Sequence, residues 1–295
     1  MKSLEERIKE AHSYRIEWNT CRICGERNRN KTYTAKEMMY RTGEEFDYFV
    51  CSTCKCMQIA EIPGNLGKYY ADNYYSLKER ETYDFEGNAN VENKILDVGC
   101  GTGKWLLRWA EEGYGNLFGC DPFIEEDVSY GNRIFIKKCE IDEMEGKFDF
   151  IRFSDSFEHI TRPLETLQSV KRLLNFDGMC EIQIPVFPNA AWDTFGINWY
   201  QIDAPRHIFL HSVESMRYLC EKCNLKIDEI RYNSNEFQFA VSYFYMDGYS
   251  YEKAKEQISI VCSENREWLE AFQKNAVKCN ERKYGDHAVF NILHG

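Results

Sequence analysis

Two cysteine pairs, Cys21-Arg22-Ile23-Cys24 and Cys51-Ser52-Thr53-Cys54, flank a hairpin-like stretch of this 295-residue chain. A C-x-x-C turn lets two sulfurs face one ion, and four thiolates fill the tetrahedral shell of a structural Zn²⁺. Gly25 directly after the first pair suits the positive φ that such a turn often needs. A closed shell leaves no open position, so the chemistry expected of Cys21, Cys24, Cys51 and Cys54 is structural. The nearby Cys56 keeps the choice of the fourth ligand open. A further pair, Cys220 and Cys223, falls in Val213–Asn224, whose apolar residues recur at helical spacing and read as core.

The second constellation is Ile95-Leu96-Asp97-Val98-Gly99-Cys100-Gly101-Thr102-Gly103. It reads as a buried strand with an acidic residue near its end, a turn with glycine at every second position, and a helix opening at Lys104. Without Cβ atoms the turn backbone can pass close under a ligand, and the helix start presents unpaired N–H groups. No Gly-Lys-Ser/Thr follows, and the spacing is not G-x-G-x-x-G, which argues against a phosphate loop and a dinucleotide fingerprint. Asp121 ends a second short strand, Leu117–Asp121, which follows the first after one intervening helix. A carboxylate there can accept from both hydroxyls of a ribose; the alternative is a turn or cap residue before Pro122.

The elements that must position these groups alternate. Helix Trp105–Glu112 ends at Gly113, and strands are expected at Ile134–Ile136, Phe148–Phe153 and Met179–Ile184, with a helix over Leu164–Leu174. Lys226–Tyr232 and His287–Leu293 read as closing strands. Such alternation implies an α/β fold with a parallel sheet and helices on both faces, and ligands then sit beyond the carboxyl ends of the strands. The Gly-rich turn, Asp121, Cys139-Glu140-Ile141 and Ser154–His159 all fall there. The expected organisation is an N-terminal helix and zinc ribbon over 1–62, a connector over 63–93 and an α/β domain over 94–295. The ribbon's hairpin is placed at Tyr40–Val50. The connector is rich in tyrosine (Tyr69, Tyr70, Tyr74, Tyr75, Tyr83) and reads either as a cover for the ligand mouth or as a linker. Insertions at about 186–211 and 235–285 carry aromatic residues, Trp192, Trp199 and Tyr200 among them.

A net charge of −11 with no polybasic run argues against a nucleic-acid backbone as partner. No stretch reaches the roughly 18–20 apolar residues that span a bilayer, and the charged start Lys2–Ile8 is unlike a signal peptide. Thirteen cysteines, several in apolar runs, fit a reducing cytoplasm.

Asp97, Gly99, Gly101 and Gly103 resemble the first motif of class I S-adenosylmethionine (SAM)-dependent methyltransferases. The resemblance spans about residues 75–295 and implies a Rossmann-like, seven-stranded sheet. It assigns the SAM site to Asp97, Gly99, Cys100, Gly101, Gly103, Asp121, Pro122, Glu140, Ile141 and Ser154. The run Trp199–Phe209 resembles bacterial enzymes of surface-polysaccharide and secondary metabolism, and the ribbon resembles that of deoxysugar C-methyltransferases, which carry a further large C-terminal domain. A small polar acceptor follows, such as a sugar or nucleotide-sugar. An RNA or protein methyltransferase that reads its target through the ribbon, or a non-catalytic SAM-binding scaffold, are the competing readings. A hydroxyl or carbon-acid acceptor needs a base, for which His159 and His207 are the candidates. His159 alternatively holds its loop, and His207 alternatively caps the helix near Ser212. Tyr200 and Arg206 are candidate substrate contacts, Arg206 alternatively pairing with Asp203.

Overall fold

The computed structural model describes residues 3–70 and 91–295. Elements in the first part of the chain are α1 (Leu4–Ala11), β1 (Arg15–Thr20), β2 (Arg27–Lys36), β3 (Glu45–Val50), β4 (Met57–Ile59), β5 (Val91–Val98), α2 (Lys104–Glu111), β6 (Tyr114–Cys120), β7 (Val128–Tyr130), β8 (Ile134–Lys137) and β9 (Phe148–Ser154). They continue with α3 (Pro163–Leu173), β10 (Leu174–Pro185), α4 (Ala190–Phe195), β11 (Phe209–Leu210), α5 (Val213–Lys222), β12 (Leu225–Tyr232), α6 (Phe237–Met246), α7 (Tyr251–Glu264), α8 (Arg266–Glu281) and β13 (His287–His294). Tyr74, Tyr75 and Tyr83 lie outside the described residues.

The chain forms two compact units. One comprises 1–66, 185–218 and 231–288; the other comprises 67–184, 219–230 and 289–295. The segments read as insertions thus group with the stretch that carries the two C-x-x-C turns.

The first unit is built on a sheet of order β1-β2-β3-β4-β11. Strands β1 to β4 follow in sequence as antiparallel neighbours. Tyr40, expected in a hairpin strand, sits instead in the β2–β3 connection: Lys36 already pairs with Glu45, and Glu37 accepts from the N–H groups of Tyr40 and Thr42 at 3.0 Å each. A carboxylate that satisfies two loop amides holds the turn open where the strand pattern alone would continue. β11 comes from far down the chain and pairs antiparallel with β4, Phe209 opposite Gln58. Helices α6, α7 and α8 enclose an apolar core of Ala240, Val241, Phe244, Tyr245, Ala254 and Ile258, with Trp268 and Phe272 packed against it.

The second unit carries an eight-stranded sheet, order β12-β13-β10-β9-β5-β6-β8-β7. This corrects the seven strands expected. The extra one, β7, pairs antiparallel with β8 across the loop 131–133, and Gly131 takes a positive φ of 58° there. Strands β10, β9, β5, β6 and β8 run parallel. The strand order reverses at β5, whose neighbours are β6 on one side and β9 on the other. In such sheets ligands sit beyond the carboxyl ends of the strands at this reversal. One face of this sheet is sealed by Ile95, Leu106, Ala110, Leu117, Ile134 and Ile136, all buried.

Candidate active site

The Gly-rich turn leaves the carboxyl end of β5 at that reversal. Two of its glycines answer to packing. A Cβ on Gly99 (φ 74°) would lie 2.5 Å from the Ser156 Cβ, and one on Gly103 (φ 87°) 2.5 Å from the Ile136 Cδ1. Gly101 donates its N–H to Asp121 Oδ2 at 2.8 Å, while Asp121 Oδ1 accepts from the Phe123 N–H, also at 2.8 Å. The carboxylate at the tip of β6 thus ties the turn to the next strand and, among the described residues, keeps one lone pair on each oxygen for a further donor. Gly119 lies two residues earlier on β6, and a Cβ there would meet the Cys100 sulfur at 2.5 Å. Cys100 is half-buried, and Pro122 is half-buried beside Asp121.

Asp97 is 3% exposed and neighbours Arg152 of β9 in register. Burial pushes its carboxyl up to about 7, against the pull of Arg152 and with the help of Asp121. Arg152 is 5% exposed. Its guanidinium lies over the Trp105 ring at 4.3 Å, approaches Glu181 at 3.6 Å and donates to Ser154 Oγ at 3.1 Å. The lone arginine in the apolar run Phe148–Phe153 was the available signal for this row of buried charges. A carboxyl with a raised folded pKa favours folding most below its unfolded value of 3.8, and that contribution is lost as pH rises through about 7. Stability should therefore fall by a few kcal/mol over that window. Asp97→Asn should flatten the slope in urea midpoints taken at steps across it; an unchanged slope would refute the assignment to Asp97.

Ser154 ends β9, and Ile141 opens a short 3-10 turn after β8, buried at 4%. Glu140 caps that turn by accepting from the Glu143 N–H. His159 is half-buried, with Nδ1 3.0 Å from the Tyr70 hydroxyl. Tyr70 also stacks on Phe123, centroids 5.4 Å apart. His159 is thus held by a hydrogen bond, and the tyrosine that holds it also stacks on Phe123, whose N–H donates to Asp121. Asp97, the turn, Asp121, Ser154 and His159 all occupy the carboxyl end of the second unit's sheet.

In the first unit the four cysteines converge. Their sulfurs lie within 4.8 Å of one another, with Cys21–Cys54 and Cys24–Cys51 at 3.6 Å each. Zn–S bonds of about 2.3 Å in a tetrahedron would set sulfurs about 3.8 Å apart, so the spacing fits. The two turns match: Gly25 N–H donates to Cys21 O and Lys55 N–H to Cys51 O, with φ of 75° and 61°. Gln58 Nε2 donates to Cys21 Sγ at 3.1 Å, a contact that spacing gave no means to foresee. Burial pushes the Cys24 thiol up to about 11, and the neighbouring sulfurs of Cys21 and Cys51 raise Cys54. Such thiols ionise together only against a cation. Cys56 is buried outside the four, donating to Met57 O. Cys220 and Cys223 are buried on and just after α5, in no such cluster among the described residues.

The run Trp199–Leu210 is stitched to the first unit's N-terminal strands. Arg206, 0% exposed, donates to Asp203 at 2.8 and 2.5 Å and to Glu37 at 3.1 Å. Burial works against its charge, but the two carboxylates outweigh that and raise its pKa. The pairing with Asp203 considered for Arg206 is present, and buried Glu37 is a second carboxylate on the same guanidinium. Arg206→Met should cost about 3–5 kcal/mol by stranding Glu37 and Asp203, read as a lowered midpoint in urea; a loss under about 1 kcal/mol would contradict this. Tyr200 is half-buried, its hydroxyl accepting from Gln201 Nε2 at 2.9 Å. Trp199 is core, with its indole N–H donating to Asp286 at 3.0 Å. His207 is 6% exposed. Its Nδ1 lies 2.7 Å from Gln201 O, and its own carbonyl accepts from the Tyr48 hydroxyl at 2.8 Å. Ser212 caps α5, accepting from the Ser215 N–H and donating to Cys54 O.

Residues 70–230 match a family described as methyltransferase domain. The chain belongs to that family. It is a SAM-dependent methyltransferase. No curated protein sequence matches it. Among solved structures it is similar to the cyclopropane synthase MmaA2 from Mycobacterium tuberculosis, at 17% identity over 70% of this chain and 80% of that one, TM-score 0.42. It is also similar to geranyl diphosphate C-methyltransferase from Streptomyces coelicolor A3(2), at 12% identity over 71% and 73%, TM-score 0.44. Likenesses this distant say nothing about the acceptor of this methyltransferase. No described helix is long and apolar enough to cross a membrane.

Proposed function

We propose that this methyltransferase acts on a small polar acceptor, a sugar, nucleotide-sugar or related metabolite, with His207 as the base. SAM, when bound, supplies a sulfonium methyl group open to in-line attack. Asp121 would accept from the ribose hydroxyls through its remaining lone pairs. Gly99, Cys100, Gly101, Gly103 and Pro122 would shape the turn under the cofactor, and Ser154, Glu140 and Ile141 would border it. Asp97, buried behind the turn, would hold the turn rather than the ligand.

The observation that carries the base assignment is the 2.7 Å contact between His207 Nδ1 and Gln201 O. A carbonyl only accepts, so a neutral imidazole must carry its proton on Nδ1, which makes Nε2 the nitrogen that would take a proton from an acceptor. Asp203 Oδ2, 3.9 Å from Nε2, would then stabilise the imidazolium. His159 faces a tyrosine hydroxyl, which can donate or accept, so its tautomer is not fixed in this way. Tyr200 remains a weaker contact for the acceptor. The sugar class draws support from the Trp199–Phe209 resemblance and from the ribbon, for which we propose Zn²⁺ on Cys21, Cys24, Cys51 and Cys54.

Screening sugars and nucleotide-sugars with methyl-labelled SAM tests the acceptor class, and full activity only on RNA or protein would overturn it. With an acceptor in hand, His207→Ala should lower kcat by about a hundredfold or more and His159→Ala by less. Full turnover in His207→Ala would remove His207 as base and leave methyl transfer itself intact.

A further inference from the structure

The first unit's sheet ends at β1, beyond which no further strand lies among the described residues. An edge strand offers unpaired backbone groups, and proteins usually blunt such edges. β1 instead displays apolar side chains. Tyr14, Ile16 and Trp18 are 49%, 45% and 73% exposed, and Ile16 and Trp18 share one face by strand alternation. Arg15 and Glu17 take the other face, where Arg15 bonds Glu17, Thr34 and Asp47.

The order of these residues is self-complementary. In an antiparallel pairing of two copies about a twofold axis at Ile16, Ile16 meets Ile16, each Tyr14 meets Trp18, and each Arg15 meets Glu17. Shifting the axis to Glu17 or Arg15 sets like charges opposite each other, which destabilises a pair. An axis between residues 16 and 17 turns apolar side chains onto charged ones. Only the Ile16 register matches both faces at once.

We propose that β1 is a homodimer interface, pairing with β1 of a second copy about a twofold axis at Ile16 and joining two five-stranded sheets into one of ten. The exposed cations Arg27, Arg29 and Lys31 lie one strand back on β2, in register with Thr20, Trp18 and Ile16. Across the seam the two basic rows stand three strand spacings apart, about 14 Å, beyond the Debye length of about 8 Å. They flank the interface without opposing it.

Sedimentation of the full, zinc-loaded chain over a micromolar concentration series tests this. The wild type should dimerise, and Ile16→Lys and Trp18→Lys should be monomeric with zinc content unchanged. Arg15→Glu alone and Glu17→Arg alone should each lose the dimer. Mixing those two variants should restore it as a heterodimer, because each new charge then meets its opposite on both sides of the axis. A structural defect is not repaired by mixing. Arg15 also holds Asp47 and Thr34, so the lysine variants decide the matter if Arg15→Glu fails to fold. A wild type monomeric at every concentration, as expected if an acidic strand of another protein is the true occupant, would overturn the proposal. So would an Ile16→Lys variant that still dimerises.

Discussion

Asp121→Ala is expected to weaken SAM binding by about a hundredfold or more. Two effects add. The variant loses an acceptor that would take charge-assisted hydrogen bonds from a ribose, each worth about 1.5–3 kcal/mol. It also frees the Gly101 N–H, which Asp121 Oδ2 now holds at 2.8 Å, so the turn no longer arrives preformed. Asp121→Asn separates the two, because an amide keeps one acceptor oxygen and cannot accept from both Gly101 and Phe123. Its affinity should fall between wild type and Asp121→Ala in calorimetric titration with SAM. An Asp121→Ala variant within about threefold of wild type, less than about 1 kcal/mol, would dismiss Asp121 from cofactor binding.

Stripping the zinc proposed on the four cysteines, or Cys51→Ser, should have the second large effect. Zinc bound to four cysteines contributes on the order of 10 kcal/mol to small ribbons, more than most domains have to spare. The damage should extend past the knuckles. β11 pairs with β4, Ser212 donates to Cys54 O and Tyr48 donates to His207 O, so the segment carrying His207 is anchored on the ribbon. The proposed SAM residues belong to the other compact unit. Chelator-treated protein should therefore lose methyl transfer and its early thermal transition while still binding SAM. Metal analysis that finds no zinc, or full activity after chelation, would refute the structural role.

The legible part of this protein was local. Alternating glycines after an apolar strand, an acid at the tip of the next strand and paired C-x-x-C turns each depend on backbone conformation over a short stretch. Such signals survive in the chain whatever it later packs against. The strands β8 and β9 and helices α2 and α3 were placed nearly at their observed bounds for the same reason, while β5 and β6 begin earlier than expected, at Val91 and Tyr114. β7 was missed although Gly131-Asn132 marks its turn, because so short a strand cannot display a period.

Partners far apart in sequence account for the rest. Arg206 read equally as a substrate contact or as a partner of Asp203, and nothing near it in the chain announced Glu37 at 3.1 Å. Gln58 carries no sequence signal for its amide meeting Cys21 Sγ, and Arg152 became a buried pivot only with Trp105 and Glu181 around it. A charged or amide side chain carries no mark of whether it will face water or a partner. Desolvation and pairing settle that, and both arise only when distant segments meet. The order of residues along the chain was enough to say which turns could hold a cofactor and a metal; packing decided which polar side chains were spent on holding those turns in place.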